Sequence, residues 1–133
     1  MLGNSAGEPV ALTPVEIVPA PDRFFDYQQK YDVAGAAEHC PPRSLDRAAC
    51  DRLRELALTG HRAAGCDGYS RTDFIVPRDA AGRACEPVVL EINTLPGMTD
   101  RSLLPLAARA DGIGFRALCL EILALALERA GEP

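Results

Sequence analysis

The sequence predicts an α+β domain, a mostly antiparallel sheet flanked by helices. Three observations carry this. Val88, Leu90 and Ile92 alternate with Val89, Glu91 and Asn93, which is the period of a strand. A second alternating run over 68–76 precedes it across turn residues at 79–83, so the two should form an antiparallel hairpin. Apolar residues at helical spacing then lie on both sides of the hairpin, over 44–64 and 115–129.

A chain of 133 residues fits one modest domain. Its hydrophobic content of 47% allows a packed core, and with 5% aromatic residues and no Trp that core is aliphatic. A net charge of −5 argues against a nucleic-acid partner. The five cysteines, Cys40, Cys50, Cys66, Cys85 and Cys119, are odd in number and lack C-x-x-C spacing. They read as reduced thiols, not as disulfides or a zinc site. His39 and His61 cannot build a histidine metal cluster. No apolar run approaches membrane-spanning length, and the first residues lack the form of a signal peptide. The expectation is a cytoplasmic protein with no membrane partner.

In order, residues 1–13 are polar and weakly ordered alone. A short proline-bounded strand follows at 14–19. An opening Met and a lone strand predict a chain that begins partway through a sheet. Residues 20–43 hold neither period throughout and read as a long loop, a length usually functional or disordered. Lys30 lies there, the only lysine in the chain. As a compact point charge it suits phosphate, although chance placement is equally compatible with spacing alone. Over 44–64 the spacing predicts a helix capped by Ser44 and stopped by Gly65. Leu45, Ala49, Leu53, Leu56, Ala57 and Ala64 form its apolar side, and Arg47, Asp51, Arg52, Arg54 and Arg62 a solvated one. His61 on this helix reads as surface or core filler.

The hairpin carries the chemistry. A register centred on Gly82 sets Asp73 opposite Glu91 and Arg71 opposite Asn93. Two adjacent carboxylates repel unless a cation intervenes. Asp73, Glu91 and Asn93 therefore suit a hard divalent ion such as Mg²⁺. The alternative is a surface ladder in which Arg71 alone neutralises the pair. Pro96-Gly97 then breaks the strand, and Ser102 caps a short helix whose free N–H groups attract carboxylate or phosphate. Asp111 to Gly114 form a turn. A closing helix over 115–129 packs Phe115, Leu118, Cys119, Ile122, Leu125 and Ala126, while Leu120, Leu123 and Leu127 widen the stripe toward a second packed side. A sheet begun partway should leave an unpaired edge and apolar surface that invite association.

The run Glu91-Ile-Asn-Thr-Leu-Pro-Gly-Met-Thr-Asp-Arg-Ser-Leu closely resembles the terminal signature of D-alanine–D-alanine ligases, members of the ATP-grasp superfamily. The resemblance reaches back through Gly68-Tyr-Ser-Arg-Thr-Asp and Phe25-Asp-Tyr-Gln-Gln-Lys-Tyr and covers nearly the whole chain. It implies an ATP-grasp C-terminal lobe: a lead-in strand over 1–19, an active-site loop over 20–43, and helix, hairpin and C-terminal helices over 44–133. It implies that the N-terminal substrate domain and most of the central lobe are absent. The implied activity is ATP-dependent D-alanyl-D-alanine formation through an acyl phosphate, for peptidoglycan synthesis.

The implied cofactors are ATP and two Mg²⁺ or Mn²⁺ ions on Asp73, Glu91 and Asn93. Lys30 matches the lysine that approaches the transferred phosphate, and Tyr31 the tyrosine that helps enclose the second substrate. A tyrosine here, where depsipeptide-forming relatives place histidine, favours an amine nucleophile. Arg71 and the Gly97 N–H match the groups that stabilise the oxyanion. The Ser102 hydroxyl and Leu103 N–H match those that hold the second substrate's carboxylate. D-Alanine is the implied partner, and the full-length family is homodimeric. The isolated chain is expected to need the missing part and to be inactive alone. Two other readings remain at this point: an ATP-grasp carboxylate–amine ligase with another acceptor, and a non-catalytic remnant acting as an interaction module.

Overall fold

The computed structural model describes residues 8–19 and 36–131. They form β1 (Glu16–Pro19), β2 (Ala36–His39), α1 (Arg47–Ala63), β3 (Arg71–Ile75), β4 (Val88–Asn93), α2 (Leu103–Ala110) and α3 (Phe115–Arg129). The architecture is α+β as the sequence predicts, with two two-stranded antiparallel sheets, β1-β2 and β3-β4. No helix among the described residues is long and apolar enough to cross a membrane.

The lead-in strand is not alone. β1 pairs with β2, Glu16 facing His39 and Pro19 facing Ala36. This corrects the reading of 20–43 as loop throughout, because its closing part is a strand. Ala-Ala-Glu-His is a poor strand former by composition, and pairing with β1 satisfies its backbone instead. Residues 20–35, including Lys30 and Tyr31, lie outside the described residues.

The β1 strand also moves the start of α1. Glu16 accepts bonds from the Arg43 N–H (2.8 Å), the Ser44 N–H (3.2 Å) and the Ser44 hydroxyl. These donors, the Ser44 hydroxyl foremost, hold the Glu16 carboxyl below its usual range. Ser44 is thus engaged elsewhere and does not cap the helix. Asp46 does, its Oδ1 accepting from the Ala49 N–H at 2.8 Å. Gly65, at φ +61°, ends the helix as expected. The inward side of α1 buries Leu53 and His61. Arg54 departs from the predicted solvated face: its Nη2 donates to Thr13 Oγ1 at 2.8 Å, and its Nε is buried.

β3 and β4 hold the register centred on Gly82, with Arg71 opposite Asn93 and Asp73 opposite Glu91. Beyond that point Phe74 faces Val89, so Leu90 is an extra residue in a bulge. The turn is set by Asp79, whose Oδ1 accepts from the N–H groups of Ala81 and Arg83, both at 2.9 Å. Gly82 completes it at φ +77°. Helix α1 closes on the back of the hairpin. A Cβ at Gly60 would sit 3.0 Å from Ile92 Cδ1, so only glycine allows this approach without a shift.

The core lies under α2 and α3. Leu12, Leu104, Ala107, Ala108, Leu118 and Leu125 form it, with Val15, Tyr69, Met98, Ile113 and Ile122 packed against it. The Asp111 carboxylate ties in the segment before β1, accepting from Thr13 N–H (2.8 Å) and Thr13 Oγ1 (2.5 Å). α3 spans the predicted residues, but Cys119 is exposed where the spacing predicts packing. Leu120, Leu123 and Leu127 are about half exposed. The core therefore rests on few large side chains, chief among them the wholly buried Leu118. Leu118→Ala should lower the unfolding free energy by about 2–5 kcal/mol, read as a lower urea midpoint. Leu120→Ala, on the exposed side, should change it by less than about 1 kcal/mol.

Candidate active site

The site is the face of the β3-β4 hairpin that carries Arg71, Asp73, Glu91 and Asn93. Strand alternation sends Arg71 and Asp73 to one face of β3, and the register brings Asn93 and Glu91 opposite them. The Arg71 guanidinium grips Asp73 with two bonds, Nε to Oδ1 at 2.7 Å and Nη2 to Oδ2 at 2.9 Å. Both side chains are largely withdrawn from water, at 20% and 27% exposed. A bidentate pair of this kind fixes orientation as well as charge. Asn93 bridges the two carboxylates, its Nδ2 donating to Asp73 Oδ2 at 3.3 Å and to Glu91 Oε1 at 3.1 Å. The four side chains thus make one contiguous polar network with two carboxylates and one guanidinium.

This donor set fits a hard divalent cation. An N–H group of Asn93 now lies between two carboxylate oxygens. Turning the amide end for end would present its oxygen in the same place. Two carboxylates and one amide oxygen are ligands that Mg²⁺ or Mn²⁺ accepts. Among the described residues there is no cluster of three or more His, Cys, Asp and Glu side chains, so a cation here would use the amide as its third protein group.

The turn and helix start after β4 supply backbone donors. Gly97 is exposed, and a Cβ on it would lie 3.0 Å from Ser102 Oγ. Ser102 has the extended backbone of a helix N-cap, but its hydroxyl does not cap α2. It accepts from the Thr99 N–H at 3.0 Å and lies 2.9 Å from Thr99 Oγ1. The hydroxyl therefore orders the 97–102 turn, which corrects the capping role read from sequence. Leu103 opens α2, where N–H groups have no intrahelical acceptor. Pro105 fits the first turn and is fully buried.

The structure brings Arg71, Asp73, Glu91 and Asn93 into one network, and Gly97 beside Ser102. Lys30 and Tyr31 lie outside the described residues. Sequence reading missed one pair behind the site. His61 is 4% exposed and Ser70 fully buried, with His61 Nδ1 2.8 Å from Ser70 Oγ. The signal available was helical spacing: His61 follows Leu53 and Ala57 on the inward side of α1. The thiols of Cys40 and Cys50 are pushed up by burial, as expected of unreactive cysteines.

A family model described as D-ala D-ala ligase C-terminus matches residues 1–124. The chain belongs to this ligase C-terminus family. A D-alanine–D-alanine ligase of Geotalea uraniireducens is 47% identical over 119 residues, 90% of this chain and 36% of that protein. One of Leptospira interrogans is 42% identical over 121 residues, 91% of this chain and 32% of that protein. Among solved structures, a D-alanine–D-alanine ligase from Bacillus anthracis complexed with ATP is similar with a TM-score of 0.67 and 37% identity. That likeness covers 88% of this chain and 36% of the Bacillus chain. The VanG D-Ala:D-Ser ligase of Enterococcus faecalis gives a TM-score of 0.71 at 31% identity, over 93% of this chain and 34% of that one. The chain thus spans about a third of the length of these relatives. The ligase C-terminus family accounts for the fold of small antiparallel sheets and three helices.

Burial holds the His61 pKa below its usual 6.5. Between the folded pKa and 6.5 the unfolded chain binds the proton that the folded chain refuses. Stability should therefore be full above pH 6.5 and fall as pH drops through that window. Urea unfolding across about pH 5–7.5 should show this slope, and His61→Leu should flatten it.

Proposed function

We propose that this chain supplies the C-terminal catalytic part of an ATP-dependent D-alanine–D-alanine ligase. The observation that carries the proposal is the shared face of Arg71, Asp73, Glu91 and Asn93 in a chain of the ligase family. In the proposed reaction the terminal phosphoryl group of ATP passes to the carboxylate of one D-alanine, giving an acyl phosphate and ADP. The amine of a second D-alanine attacks the acyl carbon, and phosphate leaves with the bonding pair. Positioning and charge neutralisation dominate such chemistry.

Asp73, Glu91 and Asn93 would hold Mg²⁺ or Mn²⁺, which supplies charge neutralisation on the phosphates when bound. Arg71 and the Gly97 N–H stabilise the oxyanion of the tetrahedral intermediate. The Ser102 hydroxyl and the Leu103 N–H hold the carboxylate of the attacking D-alanine at the start of α2. Lys30 neutralises the transferred phosphate, and Tyr31 closes the loop over the second substrate. The regions that bind the first D-alanine and the adenine belong to the parts of the ligase fold outside these residues. The assembled enzyme acts as a homodimer in the cytoplasm, in peptidoglycan synthesis. D-Alanine is preferred over other acceptors because the relatives above 40% identity are named for it.

A chimera tests this. Residues 1–124 would replace the matching third of the Geotalea uraniireducens ligase, and D-alanine-dependent phosphate release from ATP would be followed. The chimera should turn over, and Asp73→Asn or Arg71→Lys within it should lower kcat by about 100-fold or more. A folded chimera that releases no phosphate would refute the assignment. The 133-residue chain alone should form no dipeptide.

A further inference from the structure

We propose that His61 and Ser70 are positioning residues that hold Arg71 in its grip on Asp73. The inference rests on the reading of Arg71 as an active-site group. Ser70 immediately precedes Arg71 in the chain, and alternation points their side chains to opposite faces of the strand path. Arg71 faces the polar network, while Ser70 faces the last turn of α1. There its hydroxyl lies 2.8 Å from His61 Nδ1, in a contact wholly removed from water.

One residue earlier in the same helical turn, Gly60 lets Ile92 come within a close packing distance. Ile92 lies between Glu91 and Asn93 in β4. The end of α1 therefore backs both strands directly behind the four polar residues. One strand is held by apolar packing and the other by a buried hydrogen bond. Packing at Ile92 sets how closely β4 approaches the helix but supplies no directional polar bond. The His61–Ser70 bond is directional, so it fixes the twist of the backbone that leads into Arg71. A bidentate guanidinium–carboxylate pair needs that twist, since both N–H groups must meet both oxygens at once. Neutral imidazole satisfies the contact in either tautomer, as donor to or acceptor from the hydroxyl.

The test reads the Arg71 side chain itself, in the full 133-residue protein labelled with ¹⁵N-arginine. The Arg71 Nε–H resonance is assigned by its disappearance in Arg71→Lys, and its hydrogen-exchange rate is measured. Amide protection within α3 reports the fold independently. Ser70→Ala and His61→Leu should each speed Arg71 Nε–H exchange about fivefold or more while α3 stays protected. His61→Asn, whose amide can take the place of Nδ1, should keep the rate within about twofold of the parent. The double variant His61→Leu with Ser70→Ala removes both polar groups, leaves neither buried and unpaired, and guards against misfolding in the single variants. It should remain folded with fast Arg71 exchange. Slow Arg71 exchange in the folded double variant would overturn the proposal, because shape alone would then suffice. This measurement needs no ligase activity, so its outcome stands apart from the chimera assay. A failed chimera with fast exchange would sink the ligase reading alone, and an active chimera with unchanged exchange would sink the positioning role alone.

Discussion

The strand register of the β3-β4 hairpin is the constraint on which the rest depends. Side chains on a strand alternate, so a slip of one residue would send Glu91 and Asn93 to the face packed by α1. Ile92 would then enter the polar network, and two polar groups would be buried against the helix without partners. The register is secured at both ends. Asp79 and Gly82 fix the turn, and Ile92 against Gly60 fixes the strand behind the site. The bulge at Leu90 falls between the turn and the site pairs. It absorbs the mismatch on the distal side and leaves Arg71–Asn93 and Asp73–Glu91 aligned.

That alignment decides the electrostatics. Asp73 and Glu91 stand opposite each other, and in isolation they would repel. Arg71 engages both oxygens of Asp73, and Asn93 donates to both carboxylates. A lysine in place of Arg71 would offer a point charge without the fork that meets two oxygens together. Arg71 and Asp73 are largely shielded while Glu91 is exposed, and two carboxylates against one guanidinium leave an excess negative charge. In the proposed reading a cation would be received by turning the Asn93 amide, with the two carboxylates already held side by side.

Much of this was legible in the chain because it is local. Gly82 sits midway between the facing pairs, so turn and register follow from one count. The span of α3 followed from apolar spacing. What was not legible depended on distant partners. Both Ser44 and Asp46 are good caps, and the choice between them falls to Glu16, which captures Ser44 from β1. The weak strand β2 exists because β1 lies beside it, which composition cannot show. His61 reads from sequence only as surface or core filler, because its hydroxyl partner comes from the next element. Cys119 fits the apolar count of α3 yet stays exposed, because the helix is apolar nearly all round and spacing does not select the covered side.

Ser102 shows how one atom could order a turn and still serve the proposed chemistry. Its oxygen has two lone pairs and one proton. The Thr99 N–H takes one lone pair, and the Thr99 hydroxyl can donate to the other. The Ser102 N–H also donates to the Thr99 carbonyl at 2.9 Å, and with the Thr99 hydroxyl as donor the Ser102 Oγ acts only as acceptor and keeps its own proton to donate. A carboxylate can only accept, so it competes with none of the bonds that hold the turn. A capping serine would instead spend its oxygen on the N–H groups of the helix, the donors that an incoming anion requires. In the proposed reading, the departure from capping geometry would leave the α2 start open toward the substrate carboxylate while the turn stays ordered. The side chain of any other residue at Gly97 would press on this oxygen at 3.0 Å. Gly97 and Ser102 thus form one unit, and its order follows from the close approach that only glycine permits.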